Sequence, residues 1–300
     1  GSSRVTFRLK WLADLGAESL AASPQASADG EGPVVSVPGV AYAFAVAPDG
    51  ALQKKMRLAA DPAAPYGVAP TALGVALASR QGSVSLWTFS SGGGLSLRWR
   101  RDLGERVTSV AWNGGESVFV ATWRDRLVAL SASEGRIQWT TDIGGRAEAP
   151  AMVDGRDVFV ATKAKALLRL DAVTGSVRWK VELPGLALHP PVLLGEKPRL
   201  VVCGTWDGRL IAHDPATGRV RWTVSLPGKL SGAPLGGPDL VFSVTADGSV
   251  HAHDSSGEVR WSQTHASEGG ASLLRPAAAD ASPRLIVVSK TLVALDLVTG

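Results

Sequence analysis

The segment DAVTGSVRW, Asp171 to Trp179, decides the fold, because it returns along the chain at nearly even intervals. DPATGRVRW spans Asp214 to Trp222, DSSGEVRW spans Asp254 to Trp261 with one residue fewer, and SASEGRIQW, Ser131 to Trp139, is a degenerate copy. Trp99, Trp139, Trp179, Trp222 and Trp261 stand 40, 40, 43 and 39 residues apart. A period of that length marks one supersecondary unit stacked repeatedly against its neighbours.

Between successive tryptophans the text repeats: a Leu-Gly or Leu-Pro-Gly turn, a short run opening at Ala-Pro, an alternating strand, a hairpin, a second alternating strand, then the Asp-x-x-Thr-Gly turn. From Thr140 to Trp179 the strands read AMV, DVFVAT, ALLRLDA and SVRWKV, with bends at Asp154-Gly155, Ala164-Lys165 and Thr174-Gly175. Each run alternates apolar with polar, the pattern of a half-buried strand, and helical spacing is nowhere sustained. The chain reads as all-β, built from four-stranded antiparallel units.

Pro24, Pro70, Ala111, Pro150, Pro190, Pro234 and Pro276 mark the start of each unit's innermost strand, in steps of 46, 41, 39, 40, 44 and 42 residues. Proline suits the first residue of a strand, which need not donate to the ladder. Seven starts predict a seven-bladed β-propeller. The last unit, LVALDLVTG from Leu292 to Gly300, lacks a tryptophan strand, and RVTFRLKW, Arg4 to Trp11, supplies one. The N-terminal strand is therefore expected to complete the last blade, closing one domain over residues 1–300 without an open edge. Gly1-Ser2-Ser3 reads as a remnant of recombinant expression, which leaves a signal peptide or lipid-attachment cysteine ahead of it open.

The 34 glycines and 18 prolines serve the turns, and no apolar run approaches the roughly 20 residues that cross a bilayer. The net charge of +4 is carried largely on the tryptophan strands, through Arg8, Lys10, Lys54, Lys55, Arg57, Arg98, Arg100, Arg101, Arg178, Lys180, Arg219, Arg221 and Arg260. Lysine and arginine protect outer strands from pairing with other chains. With no basic run of five and no aromatic stacking platform of a nucleic-acid module, no nucleic acid is expected as partner. The single cysteine, Cys203 in LVVCGTW, reads as a small buried hydrophobe.

The repeat Ala-Leu-Asp-x-x-Thr-Gly-x-x-x-Trp resembles that of the pyrroloquinoline-quinone-like β-propellers, the group that includes quinoprotein dehydrogenases and BamB-like outer-membrane assembly factors. The resemblance is close over Arg98 to Gly300 and looser over residues 12–97. It implies that Trp11, Trp99, Trp139, Trp179, Trp222 and Trp261 dock each blade on its neighbour, and it implies a periplasmic or cell-envelope location, with the cytoplasm left open. The assembly factors are usually eight-bladed lipoproteins, whereas seven blades and no lipobox are read here. For a quinoprotein dehydrogenase it would imply eight blades, a bound calcium, a catalytic aspartate and a pair of adjacent cysteines. This chain has one cysteine and one asparagine, Asn113, and its innermost strands offer only Glu148 and Asp154 as nearby carboxylates. No cofactor is expected.

His213 and His253 hold the repeat position taken by Leu130, Leu170 and Leu295 elsewhere, and His251 lies two residues before His253. Two or three imidazoles could hold a metal, but a third ligand of matching spacing is missing, so packed core histidines are expected and no metal. Gly92, Gly93 and Gly94 form a hairpin and not a phosphate loop, since no helix follows them.

The chemistry is expected on one face of the disc. At the hairpin between second and third strands, Arg80, Trp123, Lys163, Trp206, Ala246 and Lys290 are equivalent. Trp123, with Arg124 and Arg126 beside it, and Trp206 have the composition of interface anchors; alternatively each indole folds back over its hairpin. Loops joining the blades bring Arg106, Arg146, Glu148, His189, Lys229 and Arg275 to the same face. The leading expectation is a monomeric, non-catalytic scaffold that binds a protein through Arg80, Trp123, Arg124, Lys163, His189, Trp206 and Lys290. A quinone- or metal-dependent oxidoreductase, or a structural or sensor domain of a longer polypeptide, are the alternatives.

Overall fold

The computed structural model describes residues 65–264 apart from 72–73, 90–94 and 198, together with seven shorter strands outside that stretch. Among the described residues there is no helix, and every sheet is antiparallel. The first sheet comprises Gln25–Ala26, Val34–Ser36, Tyr42–Val46 and Leu52–Arg57, and the second Pro65–Thr71, Gly74–Ser79, Ser83–Phe89 and Leu95–Asp102. The third comprises Val107–Ala111, Ser117–Thr122, Arg126–Ser131 and Ile137–Asp142, and the fourth Met152–Asp154, Asp157–Thr162, Ala166–Asp171 and Val177–Glu182. The fifth comprises Val192–Leu194, Leu200–Thr205, Arg209–His213 and Val220–Ser225, and the sixth Leu235–Gly236, Leu240–Val244, Ser249–Asp254 and Val259–Thr264. A seventh has three described strands, Ser272–Leu274, Arg284–Val288 and Leu292–Asp296. Arg4 to Trp11, Gly92 to Gly94, Arg275 and Lys290 lie outside the described residues.

The four strands read between Thr140 and Trp179 form within a residue or two of their expected bounds. The proline markers are less uniform. Pro24, Pro150, Pro190 and Pro234 stand one or two residues ahead of a first strand, but Pro70 and Ala111 fall at the far end of theirs, and Pro276 follows Ser272–Leu274. Two of these first strands are five and seven residues long, so the same landmark occurs later along them.

The expectation that every strand is half-buried holds for the fourth strands alone. Ile137–Asp142 alternates about buried Trp139, whereas Ser117–Thr122, Asp157–Thr162 and Leu200–Thr205 are buried on nearly every residue. The third, fourth and fifth sheets are each covered on both faces by neighbouring sheets, so their inner strands have no solvent side. The polar positions of the alternation are filled by small side chains such as Thr122, Thr162 and Thr205, all fully buried. The apolar clusters accordingly bridge successive sheets: one joins Phe119, Leu127, Trp139 and Ile143 of the third to Val158, Val160, Leu168 and Leu170 of the fourth.

The repeat motif works at those interfaces. The Nε1–H groups of Trp99, Trp139, Trp179 and Trp222 donate to the carbonyls of Ala132, Ala172, Pro215 and Ser255, each in the turn between third and fourth strands of the following sheet. The glycine of that turn lies against the same ring. A Cβ on Gly175 would stand 2.6 Å from Trp139 Cδ2, and Gly135, Gly218 and Gly257 meet Trp99, Trp179 and Trp222 in the same way, all at positive φ. The turn's aspartate closes the motif: Asp171 Oδ1 accepts the backbone N–H groups of Val173 and Thr174 at 3.0 Å, an Asx turn.

A one-residue shift in the ladder before each docking tryptophan leaves Arg178, Arg221 and Arg260 opposite no partner, as in a β-bulge. These arginines pair with Asp171, Asp214 and Asp254 of their own turns. Three arginines of the expected protective girdle thus also brace turns, and the Arg178 guanidinium, with the Thr174 amide, holds the Asp171 carboxyl well below the usual range.

His213 and His253 occupy the leucine position and are buried, as expected of core histidines. His213 Nδ1 lies 3.0 Å from the Gly218 carbonyl, and its Nε2 and the Nδ1 of His253 have no partner among the described residues. Burial and the neighbouring His251 together push His253 down to about 4. Cys203 is buried, and burial pushes its thiol up to about 12.

Two outcomes are expected. Gly175→Ala should lower stability in urea by about 2–4 kcal/mol, through left-handed strain plus the clash with Trp139, whereas Gly155→Ala, at φ +58 with nothing within 4 Å, should cost only the strain, about 1–2 kcal/mol. Equal losses would remove the docking role. For His253, the unfolded chain takes up a proton at its ordinary 6.5 that the folded protein resists until about 4, so stability falls as pH drops through this window. His253→Leu should reduce the fall in melting temperature between those two pH values, leaving the share due to His189, His213 and His251; an unchanged slope would overturn the assignment.

Candidate functional site

The hairpins between second and third strands project together with the loops that join one sheet to the next. Backbone N–H groups of Trp123, Lys163, Trp206 and Ala246 donate to the carbonyls of Arg106, Arg146, Leu186 and Lys229, in the loop leading into each hairpin's own sheet, at 2.7–2.9 Å. A second bond ties three of these hairpins to the loop leaving their sheet: Ile143, Leu183 and Leu226 N–H donate to the carbonyls of Asp125, Lys165 and Gly208. The hairpins of Trp123, Lys163 and Trp206 are therefore held from two sides. Its third residue takes the left-handed conformation at Gly82, Gly208 and Gly248, and also at Asp125 and Lys165, with φ of 59° and 56°.

Trp123 is 46% exposed. The Arg106 guanidinium carbon lies 4.4 Å from its ring centroid and that of Arg146 lies 3.9 Å away, so two cations from different inter-sheet loops bracket one indole. Arg146 Nε also donates to Glu148 Oε1 at 2.9 Å, and Lys163 Nζ reaches the same oxygen at 3.2 Å. A continuous row results: Arg106, Trp123, Arg146, Glu148, Lys163. Behind it Arg126 pairs with Glu105 at 3.0 Å, while Arg124, mostly exposed, comes only within 4.0 Å of the same carboxylate.

Two sheets along, Trp206 repeats the arrangement. It is 45% exposed, and Lys229 Nζ, from the loop leading to the next sheet, stands 3.8 Å from its ring centroid. His189, on the loop between the fourth and fifth sheets, is half-buried, and burial pushes its imidazole below 6.5. Arg80 is exposed on the equivalent hairpin of the second sheet.

Sequence reasoning placed Trp123, Lys163, Trp206 and Arg80 on equivalent hairpins, and the structure does the same. It brings Trp123 and Lys163 into one row with Arg106, Arg146 and Glu148, sets Arg124 at its margin, and leaves Trp206 with Lys229 as a second cluster. Neither tryptophan lies flat over its own hairpin alone, since each meets cations from neighbouring loops. Glu105 was not singled out from the sequence; it sits one residue before Arg106, and only the fold carries it to Arg126.

The two carboxylates nearest the innermost strands are both engaged, Glu148 as above and Asp154 with Arg199 at 2.9 Å. Among the described residues no three His, Cys, Asp or Glu side chains are grouped closely enough to hold a metal.

The same arrangement of sheets occurs in known proteins. The structure superimposes on BamB from Moraxella catarrhalis with a TM-score of 0.61 and 26% identity, over 78% of this chain and 70% of that one. It superimposes on Sqt1 from Saccharomyces cerevisiae with a TM-score of 0.72 and 14% identity, over 91% and 83%, a likeness of fold alone. Both neighbours are propeller-like. No curated protein sequence matches the chain. The family model described as outer membrane protein assembly factor BamB matches residues 73–196 and 188–300. Matched in two successive segments over most of its length, the chain belongs to that BamB family of repeat-built β-proteins.

Proposed function

We propose that this protein is a non-catalytic, seven-bladed β-propeller, closed by its N-terminal strand, that binds a protein partner as a monomer through the face carrying Trp123 and Trp206. The observation that carries this reading is the pair of half-exposed indoles, each held under cations from neighbouring loops on hairpins bonded from both sides. Tryptophan and arginine are among the residue types that anchor interfaces. Rigid presentation lowers the entropy lost on binding.

The non-catalytic part of the reading is supported by the state of the reactive groups. Cys203 is sealed in the core with its thiol pushed up to about 12, far from a usable thiolate. Glu148 and Asp154 are committed to ion pairs. Membership of a family described as an outer membrane protein assembly factor fits a role in bringing proteins together.

In affinity capture from the source organism, the wild-type protein is expected to retain a partner that the Trp123→Ala, Trp206→Ala double variant, with an unchanged melting curve, loses. A partner held equally by both would overturn the assignment of the face. For the closure, deleting Arg4 to Trp11 should lower the melting temperature by about 5 °C or more, since a completed sheet would regain an open edge. An unaltered melting curve would exclude closure by that strand.

A further inference from the structure

Most cations on the tryptophan face are already matched. Arg126 faces Glu105, Arg146 and Lys163 share Glu148, and Arg209 lies 3.4 Å from Asp207. Arg106 and Lys229 differ. Among the described residues neither has a carboxylate within ion-pair distance, and the side chain of each meets only an indole, Trp123 at 4.4 Å and Trp206 at 3.8 Å. An indole face attracts a cation but supplies no lone pair, so the N–H donors of both groups are left to acceptors from outside the chain.

We propose that the segment bound on this face is acidic and extended, with Asp or Glu side chains seated on Arg106 at Trp123 and on Lys229 at Trp206, and with apolar atoms against the exposed parts of the two rings. The proposal rests on the protein-binding reading above and adds its chemistry. A guanidinium positioned by an indole forms charge-assisted bonds to a carboxylate with less ordering than a free arginine requires. Arg106 and Lys229 belong to loops on either side of the third to fifth sheets, so one compact anion cannot use both and an extended chain can. The intervening Lys163 and Arg146 contribute less, because Glu148 already neutralises them. That same carboxylate, with Glu105 behind Arg126, interrupts the positive track that a phosphodiester backbone needs, which favours a peptide over a nucleic acid.

A random peptide library selected on the immobilised protein tests this. The enriched peptides should carry two or more Asp or Glu residues along with an aromatic or large aliphatic one. Their affinity should fall with added salt and drop about tenfold for an Arg106→Gln, Lys229→Gln variant. Neutral or basic winners overturn the proposal, as do acidic winners held equally by that variant, or an oligothymidine bound more tightly than any peptide. Neutral or basic winners that are lost by the Trp123→Ala, Trp206→Ala variant would overturn the acidic chemistry alone and keep the binding face. Winners indifferent to both tryptophans, or an empty selection, would overturn both.

Discussion

One hydrogen bond organises the molecule: the indole N–H of a fourth-strand tryptophan to a carbonyl in the turn of the next sheet, made by Trp99, Trp139, Trp179 and Trp222 at 2.9–3.0 Å. It fixes the depth of the indole, which must clear a Cα lacking any side chain, hence glycine in that turn. A buried indole N–H without a partner would cost about 1–3 kcal/mol, so the interface is specified by polarity as well as by apolar area. The aspartate that shapes the turn and the arginine that braces it serve the same end, because the carbonyl must face outward to receive its neighbour.

This constraint explains why the fold was legible from nine residues. Asp171, Thr174, Gly175, Arg178 and Trp179 each meet a separate geometric demand of the turn and its docking partner. The burial of the inner strands was not legible in the same way. Alternation in DVFVAT suggests one wet face, and the residue types alone do not say that Thr162 is covered by a neighbouring sheet. The proline landmarks misled for a related reason: they mark a place in the repeat, while strand lengths change from sheet to sheet.

The candidate site was legible in position but not in wiring. Equivalence along the repeat put Trp123 and Trp206 on matching hairpins, yet nothing in the text near Trp123 points to Arg146, because that contact crosses from one sheet to the next. Arg124, beside Trp123 in sequence, is directed toward Glu105. Adjacent residues on a tight hairpin diverge, so the cations that reach the ring come from loops 17 and 23 residues away.

The bracketing of Trp123 also bears on mechanics. Arg106 and Arg146 precede different sheets, and so do Leu186 and Lys229 on either side of Trp206. A ligand gripping either cluster therefore bridges a seam between repeats, in addition to the indole, the core and the side-chain bonds, such as Ser109 to the Ala149 carbonyl, that already cross it. Occupancy adds to the cohesion of that seam through thermodynamic linkage, so a bound partner acts as a staple across the repeat array.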